Sequence, residues 1–257
     1  KLYHAGQLDS DILQMVLYNI RVPEERIGDL KAQVAALNVL STRLTALLDK
    51  YGLETISACI AELKARSERL MRAQIAAIPD GTYAFEGYMD SDGLSDEPLV
   101  LHLEMTIAGS DATFDFSQSS PPCRGPMNSV VSTTTSAVYI ALKHIFREIP
   151  INAGCFQPIT VIAPESTFLH AVYPRPVAGC SSEVSQRVIN VVIGAMAQAI
   201  PERLFGDVFG SIYNLCVGGY DPQAQRYYVM YNFGGGGHGG NPETDGLTNA
   251  PASIGIS

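Results

Sequence analysis

The chain has 257 residues, enough for one large domain or two small ones with a proper core, and its 46% hydrophobic content excludes a disordered polymer. A formal net charge of −9 offers no counterion-release gain on nucleic acid or on an anionic membrane surface, so neither is an expected partner. No apolar run reaches the roughly 18 residues of a membrane span, nothing reads as a signal peptide, and the cytoplasm is the expected compartment.

Asp9-Ser10-Asp11 opens a short capped helix over residues 9–20. Val22-Pro23-Glu24-Glu25 starts a second, with proline and acids in its first turn. Ile27, Leu30, Val34, Leu37, Leu44 and Leu48 recur at three-four spacing, and Tyr51-Gly52 closes that helix. A third is expected from about Glu54 to Ile78. Two long helices joined by a tight turn read as an antiparallel hairpin, whose apolar stripe is either a core seam or an oligomer contact. Lys64, Arg66, Arg69 and Arg72 form a basic face, solvated or turned to an acidic partner.

At Ile78-Pro79-Asp80-Gly81 the period changes. Thr82–Met89, Leu99–Ile107 and Ala112–Phe116 alternate as half-buried strands, with turns at Asp90–Gly93 and Ala108–Asp111. Asp90 and Asp92 resemble the start of a calcium loop, but the later ligands are absent and a plain turn is the reading. A polar, proline-broken stretch over residues 115–129 precedes a helix from about Val130 to Arg147. A short strand is expected at Pro158–Ala163. Then comes the stretch on which the chain is organised: Gly179-Cys180-Ser181-Ser182-Glu183, followed by a helix in which only Asn190 and Gln198 are polar from Val188 to Ile200. A helix apolar nearly all round belongs inside a protein, and Pro201 ends it. Ser181 or Ser182 is expected to cap it, with Glu183 at the positive end of its dipole. Strands near Phe209–Cys216 and Arg226–Phe233 follow. The expected fold is α+β: a helical hairpin over residues 1–78, then a mixed β-sheet domain over residues 79–257 with packed helices, one of them buried and central.

The run Gly234–Gly240 contains G-x-G-x-x-G after a strand, but Asn241-Pro242 follows it, so no helix begins there to hold a pyrophosphate. The run is either a close backbone approach to a ligand or a neighbouring chain, or a mobile loop, and His238 within it has freedom to meet a substrate. His4, His102, His144, His170 and His238 show no metal spacing. Five scattered cysteines without C-x-x-C argue against a disulfide framework or structural zinc. Glu183 is either a general acid or base, if partners desolvate it, or a simple first-turn acid. The opening at Lys1 without methionine and the pattern continuing to Ser257 suggest a piece of a longer polypeptide.

Several stretches taken together resemble the hydantoinase B/oxoprolinase family: Ile78-Pro-Asp-Gly-Thr-Tyr83, Asp115-Phe-Ser-Gln-Ser-Ser-Pro121, Gly125-Pro-Met-Asn-Ser129, Ile151-Asn-Ala-Gly-Cys-Phe-Gln-Pro-Ile159, Gly179 through Arg187, and Ala197-Gln-Ala-Ile-Pro-Glu-Arg203. The glycine run with Asp245-Gly246, and Arg21-Val-Pro-Glu-Glu-Arg, complete the series. Gln118, Gln157 and Val184 depart from the family pattern, as does the Cys180-Ser181-Ser182 run. The resemblance implies an ATP-dependent hydrolase that opens a cyclic amide through a phosphorylated intermediate. Its first alternative is a ketone carboxylase of the acetone or acetophenone type, and its second a docking segment without catalysis. It further implies a hetero-oligomer with a hydantoinase A-type subunit that binds ATP and Mg2+. A divalent metal would sit in the region that family members carry before the segment like Lys1, and no metal ligand is carried over to this chain. Catalytic candidates are Glu183, Asp115 and His238; substrate-binding candidates are Asn128, Asn152 and Ser182.

Overall fold

The computed structural model describes residues 1–20 and 22–248; Arg21 and residues 249–257, which end the expected second domain, lie outside the described residues. The chain divides into two compact units, Lys1–Ile60 with Leu215–Asn232 and Ala61–Asn214 with Phe233–Ser257. That division differs from a boundary at residue 78, because the third helix contributes to both units and a late strand pair returns to the first.

In the first unit, β1 (Tyr3–His4) and β2 (Gln7–Leu8) form a minimal antiparallel pair. Helix α1 (Ser10–Tyr18) is capped by the Asp9 carboxylate, which accepts from the Asp11 and Ile12 amides. Helix α2 (Pro23–Tyr51) ends at Gly52, whose φ of 79° stops it as glycine can, and α3 (Leu53–Ile75) begins at the next residue. The apolar stripe is expected to be either a core seam or an oligomer contact, and on α2 its Ile27, Leu30, Val34 and Leu48 are half-buried while Leu37 and Leu44 are exposed. Helix α2 buries no residue, and α3 buries only Ser67, Met71 and Ile75, all in its second half. Three-four periodicity fixes which residues share a stripe; it does not supply a surface to cover the stripe.

The second unit is built on a four-stranded sheet in the order β3 (Gly81–Met89), β4 (Leu99–Ala108), β5 (Asp111–Asp115), β6 (Ile159–Ile162). The first three strands are antiparallel neighbours and β6 joins β5 in parallel. That parallel step needs a long crossover, which α4 (Val131–Ile145) supplies. Along β4, Leu99, Leu101, Leu103, Met105 and Ile107 are buried while the intervening residues are not, so one face of the sheet meets the core.

Against that face lies α5 (Ser185–Ala199), with ten of its 15 residues buried. The approach is close because two side chains are missing. A Cβ on Gly87 of β3 would come within 2.6 Å of the Val191 side chain, and one on Gly194 within 2.6 Å of the Phe85 ring. Gln198 Nε2 donates to the Ala84 carbonyl at 2.7 Å, tying the far end of α5 to β3.

The basic face of α3 is partly paired within this unit. Arg72 bridges Glu68 and Asp111 at 2.9 and 2.8 Å, and Arg69 meets Glu62 at 2.7 Å. The last pair of strands, β7 (Tyr213–Asp221) and β8 (Arg226–Gly234), forms a separate two-stranded ribbon. Among the described residues no helix is long and apolar enough to cross a membrane.

Candidate functional site

The chain enters α5 through a widened turn. Residues Cys180–Val184 form one π-helical turn, with the Val184 amide donating to the Gly179 carbonyl at 3.1 Å. Neither Ser181 nor Ser182 caps the helix, contrary to the sequence expectation. The helical backbone already extends back past them, and the Ser185 hydroxyl donates to the Ser181 carbonyl at 2.7 Å instead. A π-turn rotates the following side chains relative to a regular helix, and such turns recur at functional sites.

Glu183 lies on this turn, half-buried. Burial pushes its carboxyl above the usual carboxylate range, against three opposing influences: a hydrogen bond from the Ser211 side chain, another from the Ile212 amide, and the charge of Arg187 one helical turn on. Asn214 Nδ2 donates to Glu183 Oε1 at 3.4 Å. Arg187 and Asn190 continue the same polar row along α5. Asn190 is nearly buried; its Nδ2 donates to the Val208 carbonyl at 3.5 Å, and its Oδ1 has no partner among the described residues. Segment 208–212 is therefore held on the polar row of an otherwise apolar helix.

The glycine run packs on the other edge of that segment. Gly206 N donates to Gly240 O at 2.7 Å, Phe209 N to Gly237 O at 3.0 Å and Gly239 N to Asp207 O at 3.0 Å, and Val208 pairs with His238. A Cβ on Gly239 would lie 2.4 Å from the Gly206 backbone, and one on Gly246 only 1.7 Å from the His238 carbonyl. The glycines thus let backbone meet backbone of the same chain. His238 is held accordingly: its amide donates to Leu247 O at 3.0 Å, and its ring stacks on Phe205 with centroids 6.1 Å apart. It lines a cleft of about 260 Å³ together with His144, Arg147 and Asp245.

The remaining candidates sit elsewhere and are engaged with backbone. Asp115, at the end of β5, accepts from the Ser117 amide at 2.8 Å. Asn128 is fully buried. Its Oδ1 accepts from Cys123 N at 2.9 Å while its Nδ2 donates to the carbonyls of Cys123, Gly125 and Pro176. Asn152 caps a single turn through the Gly154 amide at 2.8 Å and donates to Ser67 Oγ at 2.7 Å. Ser182 is half-buried in the π-turn. Asp92 carries the turn at 90–93 and more: its carboxylate accepts from the Gly125, Leu94, Ser95 and Arg124 amides, which hold it below the usual carboxylate range.

The sequence reading missed Arg187, Ser211 and Asn214 around Glu183, and Arg147 beside His238. Two spacings carried a signal: Arg187 stands four residues after Glu183, and Arg147 three after His144. Among the described residues no group of three or more His, Cys, Asp or Glu could hold a metal ion. The glycine ribbon opens no helix, so the described residues do not fit a nucleotide phosphate or a resident metal.

A family model described as Hydantoinase B/oxoprolinase matches residues 1–255. The chain is 30% identical over 260 residues to the B-type subunit of a putative D-/L-hydantoinase from Pseudomonas sp. (strain NS671), covering 96% of this chain and 43% of that protein. The crystal structure of the ATP-dependent caprolactamase from Pseudomonas jessenii superimposes with a TM-score of 0.85 at 29% identity, over 97% of this chain and 44% of that one. A nucleotide-free acetone carboxylase gives a TM-score of 0.88 at 19% identity, over 98% of this chain and 36% of that one, which shows a shared fold. The chain thus spans less than half the length of these proteins.

Proposed function

The chain belongs to the hydantoinase B/oxoprolinase family, and from that premise we propose that it is a subunit, or a segment of one, of an ATP-dependent enzyme that opens a cyclic amide of the hydantoin, 5-oxoproline or lactam type. One observation carries this reading over a ketone carboxylase. The likeness to a caprolactamase holds in sequence as well as in fold, whereas the likeness to a carboxylase holds in fold alone. The expected partner is a hydantoinase A-type subunit that handles ATP and Mg2+.

The chemistry asked of this chain is proton management in a sheltered place. Once the amide oxygen carries a phosphoryl group, water adds to the carbonyl carbon and loses a proton. The C–N bond then breaks, its electron pair goes to nitrogen, and that nitrogen takes up a proton. The acyl phosphate left behind loses phosphate to a second water. Glu183 suits both proton steps of ring opening. A carboxyl that burial raises above its ordinary range holds its proton more readily than an exposed one, which suits donation to the leaving nitrogen, and its carboxylate form accepts from water. Ser211, Ile212 and Arg187 keep it oriented. Asp115, Asn128 and Asn152 serve by fixing the turns they stand in, away from Glu183, and His238 belongs to the cleft beside the glycine run.

The test is made on the complex of this chain with its ATP-binding partner. Given ATP and caprolactam or 5-oxoproline, the ring-opened amino acid and ADP should accumulate together. Fixation of labelled bicarbonate onto acetone, with no ring opening, would establish the carboxylase instead. Undiminished ring opening with both Glu183 and His238 replaced by alanine would leave the chain a docking role.

A further inference from the structure

The cleft beside the glycine ribbon holds two opposite charges that do not neutralise one another. Arg147 lies just past the end of α4, and its Nε donates to the His144 carbonyl at 3.1 Å. Asp245 lines the same cleft, on the segment that follows the glycine run. No ion pair joins the two among the described residues. The same lining includes an aromatic wall: the Phe205 ring is 6.1 Å from both the His144 and the His238 rings, edge-on to the first and nearly parallel to the second. A cation, an apolar wall and an anion share a space of about 260 Å³.

A closed cyclic amide offers such charges only the hydrogen bonds of a neutral C=O and N–H, weaker than those of a charged ligand, and a simple anion would meet Asp245. A ligand with an ammonium and a carboxylate joined by methylenes matches all three parts. We propose that this cleft binds a zwitterionic amino carboxylate, carboxylate toward Arg147 and ammonium toward Asp245, its methylenes on Phe205. Hydrolysis of a cyclic amide generates that class of molecule: the ring carbonyl becomes a carboxylate and the ring nitrogen an ammonium. Resting on the cyclic-amide reading, the cleft is a product site that discriminates the opened chain from the closed ring.

The test titrates the chain with 6-aminohexanoate and follows the imidazole proton signals of His144 and His238. Hexanoate, hexylamine and caprolactam serve as controls. Aminohexanoate should shift both imidazoles and bind more tightly than any control. Arg147→Ala and Asp245→Ala should each weaken it about threefold to tenfold, as expected for exposed charge-assisted contacts. Arg147→Lys, which keeps the cation, should recover part of the loss, and circular dichroism confirms that each variant is folded. Equal binding of hexanoate would make the cleft a plain anion site, equal binding of caprolactam a ring site, and unmoved imidazoles no site at all; each overturns the proposal. No ATP or turnover is involved. Binding of aminohexanoate alongside a failed ring-opening assay would therefore remove the product assignment and leave the zwitterion site standing.

Discussion

Helix α2 carries an apolar stripe while α5 is apolar nearly all round, and the two meet opposite fates. Helix α2 runs for 29 residues without burying one, leaving Leu37, Leu40, Leu44 and Leu47 exposed, whereas α5 buries ten of 15 and tolerates Asn190 and Arg187 in its polar row. The contrast lies in what surrounds each helix. Around α5 the sheet face, α4 and segment 208–212 are all present, and glycines remove the side chains that would hold them off. Around α2 the described residues supply only partial cover: Ile27, Leu30, Val34 and Leu48 are half-buried, while Leu37 and Leu44 stay exposed.

The same substitution in the two regions should have opposite signs. At Gly125 an added Cβ would stand 1.8 Å from the Asp92 carbonyl, backbone against backbone. Gly125→Ala should therefore cost about 3 kcal/mol or more in urea denaturation. At Gly28 on α2 nothing lies within 4 Å, and Gly28→Ala should stabilise by about 0.5–1 kcal/mol through helix propensity. A similar loss at both positions would break the contrast between a packed and an uncovered region.

Truncations sharpen it further. Ile189→Ala empties a fully buried position on α5 and should cost about 2–5 kcal/mol. Leu44→Ala, on the exposed stripe of α2, should stay within about 0.5 kcal/mol. If Leu44→Ala proves as costly as Ile189→Ala, α2 is covered in solution, by a second copy or another partner.

Two carboxylates of the sheet unit should titrate stability in opposite senses. Asp92 is held below its ordinary value by four backbone amides. Its contribution is present above the usual aspartate range near pH 4 and is lost as pH falls through the lowered value. Glu183 is raised by burial. Its contribution is present below the usual glutamate range and is lost as pH rises through the raised value. Urea midpoints measured against pH should fall less steeply on the acid side for Asp92→Asn, and less steeply toward neutral pH for Glu183→Gln. Parallel acid and alkaline limbs in wild type and both variants would contradict these assignments.

How much of this was legible in the sequence follows the same division. The strands of the sheet, the crossover helix and α5 each announced themselves because burial alternated along their own residues. The stripe of α2 left core seam and oligomer contact both open, because periodicity names no partner. The serine caps before Glu183 gave way to a π-turn, closed by the Val184 amide on the Gly179 carbonyl, which a reading of capping residues alone does not anticipate. The glycine run read equally well as a ligand contact or a mobile loop; its match is Gly206, some thirty residues back, which no window of sequence displays. Asn128 and Asn152 were expected to bind substrate, and the carbonyls and amides they engage are those of their own chain. Glu183 stood out from its place in the chain, while Ser211, Ile212 and Asn214, which hydrogen-bond to it, come from a distant segment.

The account turns on Glu183 as the proton-transferring group of ring opening, and the measurement closest to it is kcat for cyclic-amide hydrolysis by the assembled complex carrying Glu183→Gln. General acid–base catalysis by a positioned carboxyl predicts a fall of about 100-fold or more at little change in KM. A folded, fully assembled variant that retains kcat within about twofold of wild type would contradict it.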